Sequence, residues 1–330
     1  MEQRLISELG NTIHQNAGFV SSMKNEIARA VVGQEHMVEA AMIALLTGGH
    51  ILLEGVPGLA KTLLCNTIAQ VVDCQFHRIQ FTPDLLPSDL IGSLAYRQND
   101  GTFYAKKGPV FANLVLADEI NRAPAKVQSA LLEAMQEKQV TIGETTYPLP
   151  RPFLVVATQN PIDQEGTYPL PEAQVDRFML KVIVDYPTIE EEKRILERTT
   201  SPQKTTITPV TSASHIITAS SIVESIYIDE RVQNYIVNIV YATRRPENYG
   251  LPKLKECIAR GASPRATIAL AAAAKALAFM DMRAFVTPDD IQKLAFDVLQ
   301  HRIALTYEAE ADNITPIDII EAILGKVEVP

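Results

Sequence analysis

Between residues 50 and 186 the chain alternates short apolar runs with stretches of helical periodicity. The apolar runs are ILLEG, FHRIQF, NLVLADE, PFLVVATQN and FMLKVIVDYP, and helical stretches such as 63–72 and 125–137 lie between them. Strands that are apolar along their length are buried on both faces, and helical connections between them favour parallel pairing. The sequence therefore predicts an α/β fold, a parallel sheet with helices on both faces.

Three amphipathic stretches precede this region, and two hairpins interrupt it. The stretches predict helices near residues 3–15, 20–31 and 34–47. Asp100-Gly101 lies between two β-prone runs, and Gly143-Glu144 separates VTI from TTY, as a glycine-first two-residue turn does. We predict two inserted hairpins, with plain connecting loops as the alternative.

The chain after residue 187 has a different pattern. A charged helix leads into a Ser/Thr/Pro-rich stretch near 199–221, which is typical of a linker. Helical periodicity follows at 229–244, 263–282, 287–305 and 315–324. Ser263-Pro264 and Thr287-Pro288 each supply an N-cap followed by proline. We predict an α/β nucleotide-binding domain over residues 1–186 and an all-α lid domain over residues 187–330.

Composition and charge exclude several classes of protein. Thirty basic and 39 acidic residues give a net charge of −9, which is the wrong sign for binding nucleic acid by bulk charge. A local basic groove is the alternative that the net charge does not exclude. Three cysteines without C-x-x-C spacing favour neither disulfides nor a zinc site, so we expect reduced core thiols. No run predicts a membrane span or a signal peptide, and we expect a cytoplasmic protein.

The stretch GVPGLAKT, residues 55–62, follows an apolar strand and precedes a helix. It fits the phosphate-loop pattern G-x-x-x-x-G-K-[ST], except that Ala60 replaces the second glycine. We expect alanine to be tolerated if residue 60 already has helical φ and ψ angles. Backbone N–H groups would bind phosphate, Lys61 would reach the β- and γ-phosphates, and Thr62 would bind Mg²⁺. The predicted binding residues are Gly55, Val56, Pro57, Gly58, Leu59, Ala60, Lys61, Thr62 and Leu63. The alternative is a glycine-proline turn between strand and helix.

Two later strands end in polar residues. NLVLADE ends in Asp118 and Glu119, and an aspartate there can hold Mg²⁺ through water while the glutamate polarises an attacking water. PFLVVATQN ends in Asn160, at the edge where open α/β sheets bind ligands, and this amide can position the same water. The alternatives are a helix-capping acidic pair and a turn-forming asparagine before Pro161.

Two arginines complete the candidate site. Arg177 lies just before the last strand and can stabilise transition-state charge on a neighbouring subunit's nucleotide, while a salt bridge to Asp176 or Glu172 is the alternative. Arg265 lies in the first turn of a predicted helix, where the helix dipole disfavours a cation. A compensating anion would explain this position, so we predict a phosphate sensor, with a surface arginine as the alternative.

From about Val32 to the C-terminus the chain resembles the MoxR group of AAA+ ATPases. The matching stretches are GVPGLAKT, LADEINRAP, ATQNP, LPEAQVDRFML and GASPRA, and alanine before the lysine is itself a feature of this family. The resemblance implies Walker A at residues 55–62, Walker B at the acid pair and sensor 1 at Asn160. It further implies an arginine finger at Arg177 and sensor 2 at Arg265.

The resemblance also implies cofactors, assembly and partners. Val32, Gly33 and Gln34 would pack near the adenine, with ATP and Mg²⁺ as cofactors. The chain would form a homo-oligomeric ring, a hexamer, with both hairpins facing its pore. Proteins of this group resemble chaperones that assemble complexes or insert metals, typically with a separate protein bearing a von Willebrand factor A-type domain. The resemblance does not identify the client protein.

Three other functions are alternatives to an ATP-driven remodelling ring. An ATP-binding switch with little turnover is the main alternative, because an intact Glu119 favours hydrolysis without setting its rate. A DNA motor is disfavoured by the acidic balance and by the second hairpin, which carries Glu144 and no basic residue. A small-molecule kinase is disfavoured by the helical C-terminal domain with Arg265.

Overall fold

The computed structural model describes residues 2–99, 101–160, 167–200 and 205–330. Asp100 of the predicted turn and residues 201–204 of the predicted linker lie outside the described residues. The chain forms two compact units: the core unit, from residues 19–177 and 182–218, and the helical unit, from the residues up to 18, 178–181 and 219–330. These units are defined by compactness alone, so the functional boundary between residues 186 and 187 stays a prediction.

The described residues form eleven strands and fifteen α-helices. The strands are β1 (Ile51–Glu54), β2 (Phe76–Gln80), β3 (Gly92–Arg97), β4 (Thr102–Lys107), β5 (Leu114–Asp118), β6 (Gln139–Ile142), β7 (Thr145–Pro148), β8 (Leu154–Gln159), β9 (Leu180–Ile183), β10 (Ile258–Arg260) and β11 (Ala304–Leu305). The helices are α1 (Glu2–Asn16), α2 (Gly18–Ala30), α3 (Glu35–Thr47), α4 (Lys61–Val72), α5 (Pro87–Ile91), α6 (Ala125–Glu137), α7 (Glu172–Val175), α8 (Ile189–Thr200), α9 (Ala213–Glu224), α10 (Glu230–Ala242), α11 (Leu254–Cys257), α12 (Pro264–Met280), α13 (Pro288–Leu299), α14 (Tyr307–Ala311) and α15 (Pro316–Leu324). Helices α1 to α3 confirm the three helices predicted before the first strand.

The main sheet has five strands in the order β2-β5-β8-β1-β9. The pairs β2/β5, β5/β8 and β1/β8 are parallel, so the predicted parallel α/β fold is confirmed. Residues 114–117 of β5 and 154–157 of β8 are fully buried, as expected for strands covered on both faces. On β2, only Ile79 is buried, because this strand lies at the edge of the sheet. The parallel order places the carboxyl ends of β1, β5 and β8 side by side.

Both predicted hairpins are present and contact each other. Strand β3 pairs antiparallel with β4, and β6 pairs antiparallel with β7 around Gly143, whose φ is +65°. A Cβ added to Gly143 would lie 2.7 Å from Leu94 Cδ1, so Leu94 of the first hairpin packs against the turn of the second. The Lys107 ammonium of β4 lies 5.1 Å from the ring centre of Tyr147 on β7. Two contacts therefore join the hairpins.

The chain after residue 187 departs from the predicted pattern at two places. The stretch near 199–221 that was predicted as a linker contains most of helix α9 (Ala213–Glu224), in which Ile216 and Ala219 are buried, so the linker prediction was wrong there. Ser263 Oγ accepts a hydrogen bond from Arg265 N–H at 3.2 Å, which confirms the predicted cap of α12. Helix α13 begins at Pro288 as expected, but it ends at Leu299, short of the predicted residue 305. The chain leaves the helix because Ala304 and Leu305 pair with β10 in a short antiparallel ladder. The prediction of an entirely helical C-terminal region was therefore wrong at these two strands.

Buried hydrogen bonds explain why residues 178–181 belong to the helical unit. The Arg302 guanidinium donates to the carbonyl oxygens of Phe178 and Met179 at 2.6 and 3.1 Å, and Gln300 donates to Lys181 O at 2.8 Å. Arg302 is 5% exposed, so its charge depends on these carbonyls in place of water. Hydrogen bonds to its backbone carbonyls therefore hold this segment against residues 300–302.

The expectation of core thiols holds fully at one cysteine. Cys65 is buried, whereas Cys74 and Cys257 are partly exposed, and all three thiols are free. Burial raises the pKa of the Cys65 thiol and raises that of Cys74 to about 11. Among the described residues, no helix is long and apolar enough to cross a membrane.

Candidate functional site

The loop between β1 and α4 is shaped by two glycines. Gly58 has a φ of +89°, a conformation that residues with a side chain rarely adopt. A Cβ added at Gly55 would lie 2.6 Å from the Val184 carbonyl oxygen, so a larger residue would collide with backbone. The Gly55 N–H also donates to Gln159 O at the end of β8, at 3.2 Å. The loop is thereby fixed at the carboxyl ends of β1 and β8.

Ala60, which breaks the phosphate-loop pattern, adopts an unexpected conformation. Its φ and ψ are 57° and 15°, in the left-handed region. The expectation of helical angles was therefore wrong: Ala60 is the residue before the helix, and its conformation turns the loop into the first turn of α4. A left-handed alanine costs about 1–2 kcal/mol relative to the right-handed form. Ala60 thus adopts the left-handed conformation that a glycine at this position of the phosphate-loop pattern would adopt easily.

The N-terminus of α4 is suited to an anion. Its first turn contains no acidic residue, and within the described residues no side chain caps it. Unpaired N–H groups and the helix dipole favour negative charge at such an end, and a phosphate group supplies it. The loop and helix therefore fit the phosphates of a nucleotide.

Lys61 lies at the centre of this arrangement. Its ammonium donates to the Gly55 carbonyl oxygen at 2.5 Å, across the loop. Partial burial lowers the pKa of Lys61, while the charges of Asp118, Glu119 and Glu54 act in the opposite direction. The ammonium therefore stands between the phosphate loop and the acids at the strand ends.

Asp118, the last residue of β5, has hydrogen bonds on both carboxylate oxygens. Oδ1 accepts from the Thr158 hydroxyl of β8 at 2.6 Å. Oδ2 accepts from Arg78 Nε at 3.0 Å and from Arg78 Nη2 at 2.7 Å. Neighbouring strands on both sides of β5 thus fix this carboxylate.

Glu119 is held by its backbone and by its side chain. Its N–H donates to the same Thr158 hydroxyl at 2.8 Å, and its φ of 57° lies in the left-handed region. The carboxylate Oε2 accepts from Gln80 Nε2 at 2.8 Å and pairs with Arg122 Nε at 3.1 Å. One hydroxyl therefore links the backbone of Glu119 to the carboxylate of Asp118.

Most residues of the predicted nucleotide site line one cavity of about 410 Å³. The predicted residues that line it are Gly55, Pro57, Gly58, Leu59, Ala60, Lys61, Thr62, Leu63, Asp118, Glu119 and Asn160. Of the predicted loop residues, Val56 is not in the lining. The phosphate loop, the acid pair and Asn160 are thus brought to one place, while their catalytic roles stay predictions.

The segment predicted to lie near the adenine borders a different cavity. Val32 and Gly33 line a cavity of about 380 Å³ together with residues of α2, α3 and α8. The Gln34 amide donates to Asp185 O at 2.9 Å, and Asp185 follows Val184, whose carbonyl lies against Gly55. The segment is therefore connected to the phosphate loop through residues 184–185, and its contact with adenine stays a prediction.

Arg177 borders a third cavity, of about 440 Å³, beside α6. Arg177 Nε and Gln174 Oε1 are both buried without a hydrogen-bond partner among the described residues. Buried polar atoms of this kind are costly and call for a partner. The site is therefore suited to a polar group from outside the described chain, and the arginine-finger role stays a prediction.

Arg265 belongs to the helical unit. It lies in the first turn of α12, after Ser263 and Pro264, which confirms its predicted position. Its role as a phosphate sensor stays a prediction.

Four polar residues that line the cavity were not predicted from the sequence, namely Arg78, Gln80, Thr158 and Gln159, and neither was Arg122, which pairs with Glu119. Arg78 and Gln80 lie on the edge strand β2, Thr158 lies on β8, and Arg122 follows the acid pair. Thr158 was detectable as the one hydroxyl in an apolar run that ends at Asn160. Arg78 and Gln80 alternate with buried Ile79, but their partners at the end of β5 and just after it are about forty residues away, and no local pattern shows that pairing.

The residues present fit a magnesium ion in the form that nucleotide sites use. Thr62 and Asp118 supply a hydroxyl and a carboxylate oxygen to the same cavity. Magnesium prefers oxygen ligands and keeps several waters, so one or two protein oxygens plus phosphates suffice. In the described part of the chain, no group of three His, Cys, Asp or Glu side chains forms an all-protein metal site.

Comparison with known proteins agrees with this geometry. Residues 50–180 match the ATPase family associated with various cellular activities (AAA), and residues 254–323 match the AAA lid domain. The chain also superposes on the crystal structure of a proposed ATPase from Cytophaga hutchinsonii with a TM-score of 0.92. That protein is 51% identical, and the match covers 100% of this chain and 99% of the other.

Three named relatives are similar to this protein over nearly the whole chain. The chaperone MoxR1 of Mycobacterium tuberculosis is 50% identical over 92% of this chain and 81% of its own length. The YeaC protein of Bacillus subtilis is 44% identical over 92% of both chains. The MoxR protein of Methylorubrum extorquens is 31% identical over 93% of this chain and 94% of its own. The chain therefore belongs to the MoxR family of AAA+ ATPases.

Proposed function

We propose that this ATPase drives chaperone-like remodelling of a protein client, from nucleotide sites shared between the subunits of a homo-oligomeric ring. Lys61 binds the β- and γ-phosphates, while Thr62 and Asp118, the latter through water, hold Mg²⁺. The metal neutralises charge on the phosphates when it is bound. Glu119 polarises the attacking water, and Asn160 positions it.

The observation that carries this proposal is the hydrogen bonding of Thr158. Its hydroxyl donates to Asp118 Oδ1 at 2.6 Å and accepts from Glu119 N–H at 2.8 Å, in the cavity that Lys61 lines. Thr158 therefore orients the carboxylate of Asp118 and the backbone of Glu119. Preorganised groups of this kind lower the barrier because they need no rearrangement during the reaction.

Arg177 supports a shared site. It does not line the phosphate-loop cavity, and its Nε is buried without a partner among the described residues. An arginine that acts on its own subunit's nucleotide would border that cavity. We therefore infer that Arg177 acts on the nucleotide of the next subunit. Separately, we propose that Arg265 contacts phosphate, because it lies in the first turn of α12.

The wider role is proposed from the relatives. One of them is named a chaperone, which supports remodelling as the outcome of hydrolysis. We propose that the ring is a hexamer whose hairpins contact the client. We further propose that it acts with a separate protein bearing a von Willebrand factor A-type domain, in complex assembly or metal insertion.

The test is phosphate release from ATP across a concentration series of the purified protein. If sites are shared, specific activity rises with concentration. Glu119→Gln should bind ATP normally and lose roughly 100-fold or more in turnover, as expected for a lost general base. Arg177→Ala should also be inactive, and adding it to Glu119→Gln should restore partial activity in mixed rings. An Arg177→Ala protein with full activity contradicts the shared site.

A second function, an ATP-binding switch, is favoured by one observation. Glu119 Oε2 is engaged by both Gln80 and Arg122, so in this conformation the carboxylate is held by other side chains. A protein that binds ATP but releases no phosphate at any concentration would support the switch. Hydrolysis would then depend on a partner that frees Glu119.

A further inference from the structure

Arg78 lies in the phosphate-loop cavity and binds the carboxylate that is proposed to hold the metal. Its Nε and Nη2 donate to Asp118 Oδ2 at 3.0 and 2.7 Å, while Thr158 donates to Oδ1. A carboxylate offers about four acceptor positions. Three are therefore occupied in this structure, and both positions on Oδ2 are used by one guanidinium.

A hydrated metal ion needs acceptors at the same carboxylate. Water bound to Mg²⁺ is a hydrogen-bond donor, so it competes with the N–H groups of Arg78 for Asp118. The charges compete as well, because a divalent cation beside Asp118 repels the guanidinium. The side chains of Arg78 and Asp118 are 49% and 17% exposed, so the pair is screened and its exchange for another cation is inexpensive.

We propose that Arg78 is a positioning residue that holds Asp118 while no divalent cation is bound and gives up these hydrogen bonds when the hydrated ion arrives. This inference rests on the proposed function of Asp118. Arg78 keeps the carboxylate oriented and neutralised, and so prevents it from repelling incoming phosphates. Arg78 thereby reduces the ratio of the affinity for nucleotide with Mg²⁺ to the affinity for nucleotide without metal.

Release of Arg78 also affects Glu119. Arg78 Nη2 donates to Gln80 Oε1 at 2.8 Å, and this bond orients the Gln80 amide so that its Nε2 donates to Glu119 Oε2. Gln80 is the register partner of Asp118 across β2 and β5, which brings all four side chains together. When Arg78 leaves Asp118, the orientation of Gln80 is no longer fixed from that side. The guanidinium therefore connects occupancy at Asp118 to the hydrogen bond on Glu119.

The test measures binding in place of turnover. The dissociation constant of a fluorescent ATP analogue, mant-ATP, is determined in excess Mg²⁺ and in excess EDTA for the full-length wild type and for Arg78→Gln. The ratio of the EDTA value to the Mg²⁺ value compares metal affinity in the complex with that in solution. Since the solution part is identical for all variants, a change in the ratio reports the protein alone.

We expect Arg78→Gln to raise this ratio roughly threefold to fivefold, the upper part of the range for loss of a partly exposed competing ion pair. Arg78→Lys keeps the charge and should give a smaller rise. The matched control is Arg122→Gln, which removes a guanidinium from Glu119 and not from Asp118, and its ratio should stay within about twofold of wild type. Far-UV circular dichroism and thermal melting establish that each variant is folded.

Two outcomes overturn the inference while the proposed function stands. An unchanged ratio in Arg78→Gln means that Arg78 forms only a surface ion pair. Equal weakening with and without metal means that it contacts phosphate directly. A wild type that fails to bind mant-ATP in either buffer would instead overturn the proposed nucleotide site itself.

Discussion

Replacing Ala60 with glycine should stabilise the protein. Ala60 has a φ of 57°, and the left-handed conformation costs alanine about 1–2 kcal/mol. Glycine adopts the left-handed conformation without that cost. Its greater conformational freedom in the unfolded chain, however, lowers the free energy of unfolding by about 0.4–1 kcal/mol. The net expectation is a gain of about 0.5–1 kcal/mol in the free energy of unfolding of the core unit.

The assay is urea unfolding followed by far-UV circular dichroism, with Ala130→Gly as the matched control. Ala130 is also half-buried, but it lies inside α6, where the same substitution should destabilise by about 0.5–1 kcal/mol. The two variants are therefore expected to shift the midpoint in opposite directions. A loss of stability in Ala60→Gly equal to that in Ala130→Gly would refute the left-handed conformation and restore the helical one expected from the sequence.

Two further predictions concern the same unit. Gly33→Ala should cost about 1–2 kcal/mol, because Gly33 has a φ of +67° and an added Cβ would lie 2.3 Å from Glu191 Oε1. In a double-mutant cycle the cost should be smaller in a Glu191→Ala background, and purely additive effects would contradict the contact. Burial lowers the pKa of His50 to about 4 from the usual histidine value of 6.5, so the unfolded chain takes up the proton first as pH falls. The stabilisation is complete above pH of about 6.5 and is lost towards pH 4. Between pH 7.5 and 5.5 we expect urea unfolding to show that wild type loses about 1 kcal/mol more stability than His50→Gln does, and equal losses would exclude His50 as the source.

The fold and the centre of the site were predictable because their signals are local. The run before Gly55 and the run ending at Asp118 are apolar along their length, and both are buried strands of the parallel sheet. In such a sheet the strand ends meet at one edge, so polar residues placed there converge. The sequence therefore predicts that Lys61, Asp118 and Asn160 lie together.

The remainder depends on contacts between distant parts of the chain. The partner of Asp118 on β2 is Arg78, and strand order, which decides this pairing, is not encoded in periodicity. The left-handed angle of Ala60 follows from the way the loop enters α4, not from the propensity of alanine. Helix α13 stops at Leu299 because the next residues find hydrogen-bond partners elsewhere in the unit, which its own pattern does not show.

The two contacts between the hairpins have a mechanical consequence. Leu94 rests on the turn at Gly143, and Lys107 lies over the ring of Tyr147, so neither ribbon can bend without disturbing the other. The β6–β7 ribbon follows directly on α6, which begins a few residues after Glu119. We expect a pull on the first ribbon to load the second ribbon and, through it, the end of α6 at Glu137. If the hairpins contact the client as proposed, α6 would connect that contact to the segment that carries Glu119.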